Sequence, residues 1–167
     1  MRIWVLTALS ASVLCAVGFT RAMASQLHAD RVVVLKRERI LQLLSHGQVL
    51  KTYKIALGGE PVGPKTRQGD HKTPEGVYVL DSRNPRSHFY KAIHVSYPDA
   101  HDRAEARKNH VSPGGDVFLH GLPNGFKWVG ASHRLKDWTD GCIAVTDEEI
   151  DEIWAAVKDG TTIEIDP

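Results

Sequence analysis

Only one stretch of this chain repeats its apolar residues with helical period, and it lies near the C-terminus. Ile150, Ile153, Trp154 and Val157 fall at i, i+3, i+4 and i+7, a single stripe on a single face. Thr146 and Glu149 form a T-x-x-E capping box ahead of it. Asp147, Glu148 and Glu149 load the first turn with charge that suits a helix N-terminus, and Gly160 closes the run. A helix over Thr146–Val157 follows. The rest of the chain is patterned differently. Arg31–Lys36, Ile40–Leu44 and Val49–Leu57 are short strand-like runs parted by polar turns, which reads as an antiparallel meander. Val77–Asp81, Ala92–Ser96, Val117–His120, Cys142–Val145 and Thr161–Ile165 read as further short strands. Asp81–Ser87 reads as a polar loop, and Asp99–His110 as an exposed helix or an ordered loop. Gly58–Gly76, GGEPVGPKTRQGDHKTPEG, holds too much Gly and Pro for a regular element. The expected fold class is therefore mainly β, a β-rich α+β domain with one packed C-terminal helix.

The 167 residues suffice for one domain with a sizeable core. Residues 1–24 are expected to be a signal peptide and 25–167 the folded domain. Met1-Arg2 precede an apolar or small run from Ile3 to Phe19, and Ala22-Met23-Ala24 supplies small residues before a cut at Ser25. The expected location is the periplasm, reached by export and cleavage. Loss of Arg2 and Arg21 leaves a mature chain with 19 basic and 20 acidic residues, formally −1. That balance excludes a basic nucleic-acid binder.

Cleavage also removes Cys15, so Cys142 stands alone in an oxidising compartment. A lone thiol there is buried and inert, an intermolecular bridge, or a nucleophile. Thiol catalysis needs a base, a group that orients it, and backbone donors for an oxyanion. Gly141 leaves the peptide N–H groups beside Cys142 open, and His120-Gly121 ends a strand twenty-two residues earlier. Gly121–Gly141 exceeds the two to five residues of a hairpin turn and carries Trp128, Trp138, His133 and Arg134. An ordered flap over the Cys142 groove is expected. The nine histidines include no H-E-x-x-H and no Cys/His pair at ligand spacing, so neither metal nor cofactor is expected.

Taken together, HG…DWTDGCIAVT resembles the active-site region of the YkuD-type L,D-transpeptidases, a bacterial cell-wall family with a catalytic cysteine. Residues 31–59 resemble the family's opening hairpins, and Thr73-Pro74-Glu75-Gly76 its T-P-x-G segment. HGLPNG and DWT-x-GCIAVT are closest to the family's periplasmic branch. The resemblance implies a β-sandwich or barrel of the L,D-transpeptidase kind, acting on diaminopimelate-type peptidoglycan stem peptides. It implies Cys142 as nucleophile, His120 as base, Gly121 orienting the imidazole through its backbone, and the amides of Gly141 and Cys142 as oxyanion donors. His133 is the rival base, read rather as a substrate-binding residue with Arg134, Trp138 and Thr139. Cross-linking is the first expectation. Hydrolytic trimming, or release of a wall-attached protein, is the second, and a non-catalytic wall-binding domain the third. A monomer is expected. Asp140 and Ala144 depart from the family pattern, which often has His or Lys, and Arg or Asn, at those places. Carboxylates at Asp137 and Asp140 would disfavour a thiolate, with Arg134, Lys136 or the imidazolium as possible offsets.

Overall fold

The computed structural model describes residues 27–167; the segment expected to be a signal peptide lies outside them. The expected meander is present. Strands β1 (Arg31–Leu35), β2 (Ile40–Ser45) and β3 (Gln48–Lys54) pair antiparallel in sequence order. They are followed by β4 (Gly76–Ser87), β5 (Tyr90–Val95), β6 (Phe118–His120), β7 (Ile143–Ala144) and β8 (Thr161–Asp166). All eight join one curled sheet in the order β3-β2-β1-β8-β4-β5-β6-β7. The two ends of the sheet meet, because Ala56 just past β3 exchanges both backbone hydrogen bonds with Ala144 of β7. The chain then runs on beside the turn before Cys142, where Gly58 bridges Thr139.

Helix α2 (Asp147–Ala156) carries the predicted capping box: Thr146 Oγ1 accepts from the Glu149 amide, and the Glu149 carboxylate accepts from the Thr146 amide. Ile150 and Ile153 are fully buried in one core cluster that also holds Val32, Val34, Leu41, Leu43, Ile143, Ile163 and Ile165. Burial of each such side chain contributes about 1.5–3 kcal/mol. Trp154 is only half-buried and lies at the rim of the core, under the Arg83 guanidinium. Helix α1 (Ala100–Lys108) is capped by Asp99 and buries Ala106 alone, as its weak periodicity suggests.

Two expectations change. Asp81–Ser87 is strand, the outer half of β4. Its polar side chains look loop-like because this half is mostly exposed, while β5 supplies the ladder and Arg83 reaches the C-terminal carbonyls of α2 at Trp154 and Val157. Second, β6 and β7 are neighbours but parallel. Parallel strands need a crossover of a dozen or more residues, so topology alone requires a long Gly121–Gly141 connection. A 3₁₀ segment, Lys127–Leu135, fills its middle.

The Gly- and Pro-rich segment between β3 and β4 is irregular yet tightly held. The Lys36 ammonium, 2% exposed, donates to the carbonyls of Gly63 and Thr73 and to Glu75 Oε1. The Thr73 hydroxyl accepts from the Gly58 amide at 3.1 Å.

Candidate active site

His120 ends β6, and its ladder partner on β7 is Ala144. Leu119 and Ile143 form the preceding pair and are fully buried. One step further back, Cys142 lies beside Phe118, whose amide donates to Sγ at 3.4 Å. Side chains alternate across a strand, so Cys142 and His120 share a face, one diagonal step apart. Both line a groove of about 690 Å³ whose walls also include Lys65, Phe89, Asp116, Trp138 and Thr139.

The imidazole is fixed in one tautomer. His120 Nδ1 lies 2.7 Å from the Gly121 carbonyl, which can only accept, so Nδ1 carries the proton and Nε2 is left as an acceptor. The ring packs on Phe89 and Trp138 at 4.5 and 5.8 Å between centroids. Burial pushes its pKa down to about 4, outweighing the Gly121 hydrogen bond. The ring is neutral at pH 7.

Sequence reading passed over two residues, one at this turn and one beside Gly141. Asp147, buried at the start of α2, accepts from the Leu122 amide at 2.9 Å. A Cβ on Gly121 would lie 2.8 Å from that same carboxylate oxygen, so the carboxylate also excludes any side chain there. The signal for it was present, since Asp147 stands directly after the capping threonine, but it reads there as an ordinary first-turn acid. Lys65 is the other. It is buried, paired with Asp70 at 2.7 Å, and its Nζ lies 3.8 Å from where a Cβ on Gly141 would be.

Thr139 shapes the turn into Cys142. Its hydroxyl donates to the Cys142 carbonyl at 2.8 Å and accepts from the Gly141 amide at 3.1 Å. The Gly141 N–H is therefore already engaged, unlike the open donor expected. Gly141 is required on steric grounds: its φ is +130°, and a Cβ would lie 2.5 Å from the Lys72 carbonyl. The Cys142 thiol donates to the Asp116 carbonyl, and burial, with smaller effects from Asp140 and Asp116, pushes its pKa up. The Phe118 amide and Lys65 act the other way.

The remaining expected site residues divide. Trp138 and Thr139 line the groove. His133 does not; it lines a separate apolar cavity with Leu122, Pro123, Phe126, Val129 and Trp138. Arg134 is drawn to Glu149 at the start of α2, away from the thiol. Asp137 is taken up by Arg39 and the Leu57 amide. Asp140 reaches into solvent and pairs with His71 at 2.8 Å. Trp128 is 81% exposed and stacks loosely on Phe126, so the middle of the crossover does not cover the groove. Among the described residues no cluster of His, Cys, Asp or Glu is arranged to hold a metal, and no helix is long and apolar enough to cross a membrane.

A model of the YkuD family, described as the L,D-transpeptidase catalytic domain, matches residues 29–165. The Escherichia coli (strain K12) protein YafK, provisionally named an L,D-transpeptidase, is 35% identical over 133 residues that cover 75% of this chain and 46% of YafK. The chain thus spans about half the length of the curated relatives it matches. Among solved structures, the helical cell shape determining protein Pgp2 of Campylobacter jejuni superposes with a TM-score of 0.62 at 26% identity, covering 81% of this chain and 46% of Pgp2. Bd1075 of Bdellovibrio bacteriovorus gives 0.55 at 27%, covering 80% and 46%. An L,D-transpeptidase from Xylanimonas cellulosilytica, at 15% identity, shares the fold with a TM-score of 0.55 over 84% of this chain and 62% of that one.

Proposed function

The chain belongs to the YkuD family of L,D-transpeptidase catalytic domains, and on that footing we propose that it is an exported enzyme that acts on peptidoglycan stem peptides through an acyl-enzyme on Cys142. The observation that carries this reading is one groove lined by both a thiol and a buried imidazole whose bare nitrogen is Nε2. His120 Nε2 takes the proton from Sγ as the sulfur attacks the carbonyl that follows the L-centre of a diaminopimelate-type residue. The Cys142 amide donates to the developing oxyanion, and Thr139 keeps the turn in shape. The tetrahedral centre collapses to a thioester, and the leaving amine departs with the proton from His120. An amine of a second stem peptide, or water, then attacks the thioester while His120 again accepts the proton; the C–S bond breaks and Sγ leaves with that proton, restoring the thiol and the neutral imidazole. A raised thiol pKa and a depressed imidazole pKa make the resting pair neutral, so proton transfer accompanies attack.

Hydrolysis is the second reading, and one observation favours it. The crossover contributes only its last residues, Trp138–Gly141, to the groove wall, so the expected cover against water is thin. Incubation with purified muropeptides, followed by mass analysis, separates cross-linked dimer from trimmed monomer. No change to any muropeptide, or full activity in Cys142→Ala, defeats the proposal. Export predicts Ser25 as the mature N-terminus, checked by N-terminal sequencing of the exported protein; an intact Met1 would contradict it.

A further inference from the structure

The groove wall carries a charge that the mechanism above does not use. Lys65 lies in the long loop between β3 and β4, and its side chain is almost wholly buried. Its Nζ donates to Asp70 Oδ1 at 2.7 Å and to the Arg67 carbonyl at 3.2 Å. An ammonium has three donors, so one remains. Asp70 is itself saturated: it accepts from the amides of Thr66, Arg67 and Lys72, and its pKa is lowered by these bonds and by Lys65. The cation is thus held by a carboxylate that the loop's own amides anchor, with its Nζ 3.8 Å from a Cβ built on Gly141, the residue before the thiol.

The other charges around the sulfur would not supply this effect. Asp140 on the same turn and Asp116 on the segment before β6 both oppose a thiolate. His71 is paired with Asp140, and His120 is neutral. His88 lines the same groove, and Lys72 lends its carbonyl to the Gly141 contact. Arg134, a candidate offset on sequence grounds, is held by Glu149.

We propose that Lys65, held in the groove wall by Asp70, is a fixed counter-charge that stabilises the Cys142 thiolate as it forms. The role rests on Cys142 being the nucleophile. Both groups line the same groove, and a cation there favours the charged form of the thiol. Lys65 is a positioning charge and not a proton carrier, so it takes no proton at any step.

The test is the pH profile of iodoacetamide alkylation at Cys142, read by mass on the Cys142 peptide of the full chain. Lys65→Met should move the midpoint up and slow alkylation at pH 7 about tenfold. Lys65→Arg should restore the wild-type profile. An unmoved profile in Lys65→Met overturns the proposal. So does a Lys65→Arg midpoint that stays with that of Lys65→Met, which would make the pair a loop clamp only. Alkylation needs no peptidoglycan, so failure here is distinct from failure of the acyl-enzyme reading, which would appear as full muropeptide turnover in Cys142→Ala.

Discussion

The surroundings of His120 and His133 look alike by the usual signs. Both rings are buried, both are pushed down to about pKa 4 with burial as the leading cause, and both pack edge-on against Trp138, at 5.8 and 6.4 Å. Their hydrogen bonds differ. His120 spends its Nδ1 proton on a backbone carbonyl and keeps an acceptor in the groove shared with the thiol. His133 Nδ1 accepts from the Trp138 indole at 3.5 Å, which puts the proton on Nε2, and that buried nitrogen has no partner among the described residues. Burial and a depressed pKa therefore do not identify a base. What distinguishes the two is which nitrogen is bare and what shares its cavity.

The widest separation between these two regions should come from activity. Cys142→Ala should fold and lose turnover on muropeptides, and His120→Gln should cost about 10²–10⁴ in rate, the usual size of general-base loss. His133→Gln should leave the rate within about tenfold. If His133→Gln costs more than His120→Gln, the comparison is reversed and His133 is the base.

Asp147→Ala comes next. It should cost about 1–3 kcal/mol of stability by orphaning the buried Leu122 amide. It should also lower the rate further than thermal denaturation explains, because the Gly121 carbonyl that orients His120 sits in the same turn. Full activity in the surviving fold would separate Asp147 from His120.

The pH dependence of stability tests both rings at once. Their folded pKa values lie below the unfolded value near 6.5, so the unfolded chain binds more protons in between. Stability should be fully present above about pH 6.5 and fall as pH drops toward 4. Thermal melts of His133→Leu should show a shallower fall than wild type. An unchanged slope would mean that His133 is not buried as described.

The smallest effect concerns His133→Leu at pH 7. An orphaned buried donor costs about 1–3 kcal/mol, so its removal should offset most of the lost packing and leave the midpoint nearly unchanged. A large loss would assign His133 a structural hydrogen bond that the Trp138 contact does not account for.

Much of this arrangement could be read from the residues in order. The capping box and stripe of α2, the three-strand opening, and the adjacency of the two strands carrying His120 and Cys142 are local or nearly local facts. Periodicity and turn chemistry act over a few residues, so they survive in a bare sequence. The groove residues Trp138 and Thr139 were legible for the same reason, because they sit in the motif itself. Three matters were decided only by tertiary structure. The parallel pairing of β6 with β7 turned an apparent flap into a crossover, since strand direction depends on where the whole sheet closes. The polar run Asp81–Ser87 became strand because β5 and α2 offered it partners. Lys65, Asp70 and Asp147 came to the site from distant positions, one pair by loop closure and the other by the start of a helix. Charges read along a chain do not reveal which will be spent on each other. Arg134 went to Glu149 and Asp137 to Arg39, and the cation left in the wall of the thiol's groove was Lys65, seventy-seven residues away in sequence.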